Sequence, residues 1–190
     1  MNYPNKKKSF QKEVNKANLG MTLESDIDAT NRYYLDSGIA VIHKKPTPIQ
    51  VVNVSYPARN KAKITEAYYK TPSTTDYNGV FKGKYIDFDA KETNSTTSFP
   101  LKNIHPHQIS HLTSVEKQNG IAFFIIHFKP YNEYYILPIH LLMPLWENQY
   151  KEKGRKSIPY AYFKDNLHQI HFSYQPRLDY LKVIQTVFNF

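Results

Sequence analysis

Two aspartates and a lysine, Asp76, Asp89 and Lys91, stand in the stretch TTDYNGVFKGKYIDFDAKET, residues 74–93, which otherwise reads as a β-hairpin. In YIDFDAKE the strand period of two places Ile86, Phe88 and Ala90 on one face and Tyr85, Asp87, Asp89 and Lys91 on the other, a core face and a charged face. A turn at Lys82 and Gly83 pairs Phe81 with Lys84 and, further back, Asp76 with Asp89 and Thr74 with Lys91. Opposed Cβ atoms in a ladder lie about 4.5 to 5.5 Å apart, where two carboxylates repel unless a cation sits between them. Mg2+ suits such a place, because it takes hard oxygen ligands, keeps several waters and is commonly held by one or two carboxylates together with a substrate phosphate. Lys91, on the same face, would then orient water and stabilise charge on a phosphate in transit.

The competing reading makes these residues solvent-facing side chains of an edge hairpin, the commoner meaning of an isolated Asp-x-Lys. The choice hinges on the turn. Asn78-Gly79 is itself a favoured turn dipeptide, and a turn there separates Asp76 from Asp89. It also leaves VFKG too short to pair usefully, which favours Lys82-Gly83; a bulge at Gly79 would shift the pairing by one residue. Downstream, His105, His107 and His111 in HPHQISH invite a zinc reading, since imidazoles are good ligands and residues 107 and 111 share a helix face. A helix start capped by His105, with Gln108 directed at the acidic site, is the better account of the same spacing.

These residues need a framework. Residues 1–20 are polar and rich in Lys and Asn, and read as a flexible basic arm, either ordering on a phosphate backbone or serving as a solubilising tail. Residues 21–190 read as one domain. Thr22 caps a first helix, with Leu23, Ile27, Thr30 and Tyr34 on one stripe and Gly38 at its end. IAVIHKK follows as a strand. Residues 46–70 then combine two prolines, an alternating apolar run, a Tyr-Pro break and a second run, the pattern of an excursion from the core with Arg59, Lys61 and Lys63 near its tip. After the hairpin come a short loop and a helix from Pro106, with Ile109, Leu112 and Val115 inward and Gly120 as its stop. IAFFIIHF shows almost no alternation and reads as a strand buried on both faces, turning at Pro130 to Asn132 into EYYILPI. A helical segment broken by Pro144, a basic loop KEKGRKS and a last helix in RLDYLKVIQTVFNF complete the chain.

Composition narrows the function classes. Twenty-five Lys and Arg against sixteen Asp and Glu leave a net charge of +9, which attracts polyanions, nucleic acid first among them, although a basic solvated surface accounts for the charge equally well. With no cysteine, thiolate metal sites and disulfides are excluded. No apolar segment is long enough to span a membrane, and the expectation is a soluble cytoplasmic protein. The sixteen tyrosines suit strands and core as well as base stacking, and none is singled out.

An acid, a β-hairpin and then (D/E)xK after an N-terminal helix resembles the PD-(D/E)xK, restriction-endonuclease-like nuclease superfamily. The words GMTLE, YYL, IAVIHKKPTPIQVVNVSYP, STTDYNGVFKGKYIDFDAKET, TSFPLKNIHPHQ and QPRLDYLKVI are more specific, and resemble the RecU family of Holliday junction resolvases of low-GC Gram-positive bacteria from about Gly20 to Ile184. That resemblance implies an α/β restriction-endonuclease-like core, with a central mixed sheet flanked by helices and a protruding stalk over about 46–70. It implies a homodimeric, Mg2+-dependent endonuclease, with Mn2+ substituting, that nicks four-way DNA junctions symmetrically in recombination and repair at the cytoplasmic nucleoid. Thr74, Asp76, Asp89 and Gln108 are then the metal-site residues and Lys91 the catalytic lysine. The stalk would enter the junction's centre and meet the recombinase RecA, with Lys44, Arg59 and Lys61 as DNA contacts. Glu24 reads equally as an accessory acid at this site, as on the corresponding helix of related nucleases, or as a first-turn residue favouring the helix dipole. Two departures stand out: DFDAKE replaces the usual DFEAKE, so Asp89 is one methylene shorter than the family's glutamate, and Leu19 occupies a place often held by arginine in an arm that is short. A non-catalytic junction-binding or RecA-modulating protein is the rival reading.

Overall fold

The computed structural model describes residues 22–58, 60–70 and 74–190. The basic arm, with Leu19, and Arg59 lie outside the described residues. Helix α1 (Leu23–Asp36) starts where the Thr22 hydroxyl accepts the Ser25 N–H at 3.3 Å, and it buries Leu23, Ile27, Thr30 and Tyr34. It stops at Gly38, whose φ of 65° allows the Gly38 and Ile39 amides to close back onto the carbonyls of Leu35 and Tyr34, at 3.1 and 2.8 Å.

Strands β1 (Val41–Lys44), β4 (Tyr77–Phe81), β5 (Lys84–Thr93), β7 (Ile121–Phe128), β8 (Glu133–Pro138) and β10 (His168–Ile170) form a six-stranded sheet in the order β1-β4-β5-β7-β8-β10. Among the described residues only β5 and β7 pair in parallel, so the sheet is mixed, and a helix, α2 (Pro106–Lys117), lies in the connection between them. Two cores explain the uninterrupted apolar run of β7. Ile121, Phe123 and Ile125 face a core shared with α1 and α5 (Tyr180–Phe188), while Ala122, Phe124, Ile126 and Phe128 face one shared with α2, α3 (Ile139–Asn148) and α4 (Tyr160–Asn166). Every β7 residue is buried.

Strands β2 (Ile49–Ser55) and β3 (Lys63–Tyr69) form a separate two-stranded ribbon, exposed along almost its whole length and closed at its base by Lys70 N–H donating to Pro48 O at 3.0 Å. Among the described residues no helix is long and apolar enough to cross a membrane.

Three local expectations change. Pro144 does not break its helix: α3 runs through it, because the proline sits on the exposed side, where water can serve the carbonyl of His140 that loses its bond. Helix α2 stops at Asn119, which holds the left-handed φ of 61°, whereas Gly120 is needed for close approach, since a Cβ there would lie 2.6 Å from Val115 Cγ1. The segment before α2 is not a plain loop but holds β6 (Ser98–Pro100), paired with β9 (Ser157–Pro159), and a single 3-10 turn at Leu101–Asn103.

Candidate metal centre

The β4–β5 hairpin turns at Lys82 and Gly83, both at positive φ (49° and 74°), the two-residue geometry whose twist matches the flanking strands. Its register runs from Phe81 opposite Lys84 to Tyr77 opposite Phe88. Asn78 and Gly79 lie mid-strand, without a turn between them. Gly79 is required by its neighbour: a Cβ there would fall 2.1 Å from Val41 O and 2.6 Å from Ile42 Cα of β1. Asp76 stands one residue beyond the last ladder pair, on the side of Asp89, and its carbonyl accepts the Lys45 amide at 2.7 Å.

The charged face of β5 is not a solvent face. Helix α2 covers it, and Asp87 and Asp89 are both 0% exposed. That burial overturns the edge-hairpin reading. Asp89 Oδ2 accepts from Gln108 Nε2 at 2.5 Å, while Gln108 Oε1 accepts the His105 N–H at 3.1 Å. Both ends of the Gln108 amide are thereby engaged, and it acts on Asp89. Lys91 Nζ lies 2.8 Å from the buried Asp89 Oδ1 and pairs with it in charge. Burial pushes the Asp89 carboxyl up to about 6; Lys91 pulls against that rise and the nearby Asp76 charge adds to it.

A cleft of about 400 Å³ at the root of the ribbon brings Glu24, Lys44, Thr74 and Asp76 together. Glu24 pairs with Lys44 across its mouth at 2.5 Å, both side chains well exposed, so one predicted accessory acid and one predicted DNA contact neutralise each other there. Thr74 is half-buried, its hydroxyl 3.4 Å from the carbonyl of Thr75. Lys61 is exposed in the turn between β2 and β3. The three histidines are divided: His105 and His107 stack on each other with ring centroids 5.5 Å apart, and His111 turns to Asp87 at 2.9 Å.

Among the described residues no three His, Cys, Asp or Glu side chains gather as a metal cage. What the site offers a cation is hard oxygen: the Asp76 carboxylate and the Thr74 hydroxyl lining the cleft, and the buried Asp89 carboxylate close to Asp76. That set fits a Mg2+-like ion that keeps part of its water shell. Sequence pattern gave Asp87 no role, although it alternates with Asp89 and Lys91; only the approach of β1, the 74–76 loop and α2 reveals it as a crowded centre, bonded to Lys45, Thr75, Tyr85 and His111.

Fold and site together define a mixed α/β protein with a buried acid-and-lysine centre below a basic, projecting ribbon. The family model described as Recombination protein U matches residues 18–186, and the chain belongs to the RecU family. It is 56% identical over 181 residues to a Holliday junction resolvase RecU of Bacillus pumilus, covering 95% of this chain and 87% of that one. It is 52% identical over 195 residues to that of a Geobacillus species, covering 98% and 96%, and 50% identical over 197 residues to that of Staphylococcus aureus, covering 97% and 94%. A solved Holliday junction resolvase, Hjc of Archaeoglobus fulgidus, aligns over 68% of this chain and 83% of its own with a TM-score of 0.38 at 8% identity, too slight a likeness to carry an argument.

Proposed function

We propose that this protein is a Holliday junction resolvase, a divalent-metal-dependent endonuclease that nicks four-way DNA junctions. The observation that carries the reading is Asp89: a wholly buried carboxylate paired with Lys91 and next to Asp76. A carboxylate so placed is stabilised by a bound cation, and its neighbours are those that phosphodiester hydrolysis uses. Asp76 and Asp89 would hold the ion, with Thr74 and water; Mg2+ is the physiological choice and Mn2+ a substitute. When bound, the ion polarises the scissile phosphate and acidifies a water. Gln108 fixes the rotamer of Asp89 through its amide at Oδ2, so that Oδ1 faces Lys91. Lys91, held beside Oδ1, places its ammonium to donate to a non-bridging phosphate oxygen as charge builds there, and to orient the attacking water.

The net charge of +9 favours DNA, and the ribbon carrying Lys61 is a natural probe of a junction's open centre. Lys44 can exchange its exposed partner Glu24 for a phosphate at little cost, because exposed ion pairs contribute only about 0 to 1 kcal/mol. A two-fold dimer would present two such sites to opposed strands of a two-fold junction, and the ribbon is the surface on which contact with a recombinase would occur. The test is nicking of a labelled four-way junction in Mg2+, beside EDTA, Asp76→Ala and Lys91→Met controls. Symmetric nicks from the wild type, lost in all three controls while junction binding persists in the two variants, are expected. Binding without nicking by the wild type would sink the enzyme reading in favour of a junction-binding protein.

A further inference from the structure

Asp87 takes no part in the chemistry above, yet it is among the most heavily bonded groups in the molecule. Its Oδ2 receives Lys45 Nζ at 3.0 Å and the Tyr85 hydroxyl at 2.8 Å, with His111 Nε2 at 2.9 Å, and its Oδ1 receives the Thr75 hydroxyl. Lys45 Nζ also donates to Thr75 Oγ1 at 3.0 Å, so cation, hydroxyl and carboxylate form a closed triangle. The Lys45 backbone amide makes a further bond, to Asp76 O at 2.7 Å. One residue thus grips both Thr75 and Asp76, by side chain and main chain respectively.

Position gives this grip its meaning. The β4–β5 ladder ends at Tyr77 opposite Phe88, so it does not itself hold Asp76 against Asp89. The 74–76 loop is held by the Thr75 hydroxyl on Asp87 and by Lys45, the residue between the end of β1 and Pro46, where the chain departs for the ribbon. On the other side, α2 presents Gln108 to Asp89 and, three residues on along the same face, His111 to Asp87. The two acids of β5 are therefore held by one helix, while the loop bearing Thr74 and Asp76 is held to them through Lys45 and Asp87.

We propose that Lys45 is a positioning residue that, through the buried Asp87 carboxylate and Thr75, locks the root of the ribbon to the loop carrying Thr74 and Asp76 and thereby sets the spacing of the two metal-binding acids. The proposal rests on the reading of Asp76 and Asp89 as cation ligands. It makes the ribbon and the metal centre one mechanical unit: a displacement of the ribbon's base reaches the 74–76 loop through one residue, by the Lys45 side chain at Thr75 and its main chain at Asp76.

The test measures Mn2+ binding to the full-length protein without DNA, by the loss of free-ion electron paramagnetic resonance signal, for wild type, Lys45→Met and Lys45→Arg. Loss of an outer group that orients a metal ligand weakens metal affinity by about 10- to 100-fold. Lys45→Met is expected to raise the Mn2+ Kd about tenfold by that measure. Lys45→Arg, which keeps a cation and donors at the same place, recovers most of the loss. Junction Kd in Ca2+ stays within about twofold for all three, since none of the changed contacts faces solvent on the ribbon. Where Lys45→Met leaves Asp87 without its cation and the protein does not fold, the Lys45→Met/Asp87→Asn pair, which removes both charges and keeps the shape, is the deciding variant, with the same tenfold expectation. A folded variant that binds Mn2+ as the wild type does would overturn the proposal and reduce the triangle to an ordinary buried ion pair. A wild type that binds Mn2+ but nicks no junction would instead overturn the resolvase reading and leave the lock standing.

Discussion

Asp89 should make the metal-free protein less stable as the pH rises. Its carboxyl is pushed from 3.8 up to about 6 in the folded state, chiefly by burial. The folded protein therefore holds this proton more tightly than the unfolded chain does. The stability that Asp89 contributes is complete below about pH 3.8, declines as the pH rises and is gone above about 6, a loss of about 3 kcal/mol at roughly 1.4 kcal/mol per pKa unit. Urea unfolding in EDTA at intervals between pH 4 and 7.5, on wild type and Asp89→Asn, isolates this group, because other carboxylates titrate in both proteins and cancel in the difference. The wild type should lose about 3 kcal/mol relative to the variant across that window. Mg2+ added at pH 7.5 should raise the urea midpoint of the wild type and leave that of Asp89→Asn nearly unmoved. A difference that stays flat, or that rises with pH, would refute the claim that a charged Asp89 is held against its solvation preference in wait for a cation.

Further outcomes follow from the packing. Gly79→Ala puts a Cβ where Val41 O and Ile42 Cα already stand, so β1 must part from β4; a loss of at least about 3 kcal/mol in urea unfolding is expected, and a loss under 1 kcal/mol would show that β1 is free to shift. Phe88 is stacked between Tyr77 and Phe123, each ring centroid 4.9 Å away, and Phe88→Ala should cost about 3 to 5 kcal/mol, measured as a fall in thermal midpoint with the hairpin's metal response retained in the folded fraction. Junction affinity should fall steeply with salt, the slope of log K against log[salt] being roughly −0.9 for each phosphate neutralised; a flat salt response would show that the excess positive charge plays no part in binding.

Much of this molecule is legible in one dimension. The period of two in YIDFDAKE already sets Asp87, Asp89 and Lys91 on one face, and the Lys82-Gly83 turn already fixes the register of β5 against β4 as far as Tyr77 opposite Phe88; the expected pairing of Asp76 with Asp89 and of Thr74 with Lys91 lies beyond the end of that ladder. The apolar run of β7 announces a strand covered on both sides, and the Thr22 cap and Gly38 stop bracket α1. These are local facts, decided by backbone preferences and side-chain alternation within a few residues. β6, β9 and β10, three residues each, and α4, seven residues, went unseen because such segments are too short to show a period.

Only the tertiary structure decides which face of a strand is wet. A charged face on an isolated hairpin reads as solvent-exposed, and it becomes a sealed acidic centre here because β5 and β7 run parallel and the helix between them must lie on that side. The sequence by itself set Asp89 and Lys91 on one strand face and Asp76 one residue beyond the end of their ladder. That Asp89 would be buried, that Gln108 would orient it, and that Lys45 and Asp87 would fasten the loop carrying Asp76, depended on contacts between residues up to 42 positions apart. Charge and spacing are properties of the chain; desolvation, which gives a carboxylate its need for a cation, belongs only to the packed fold.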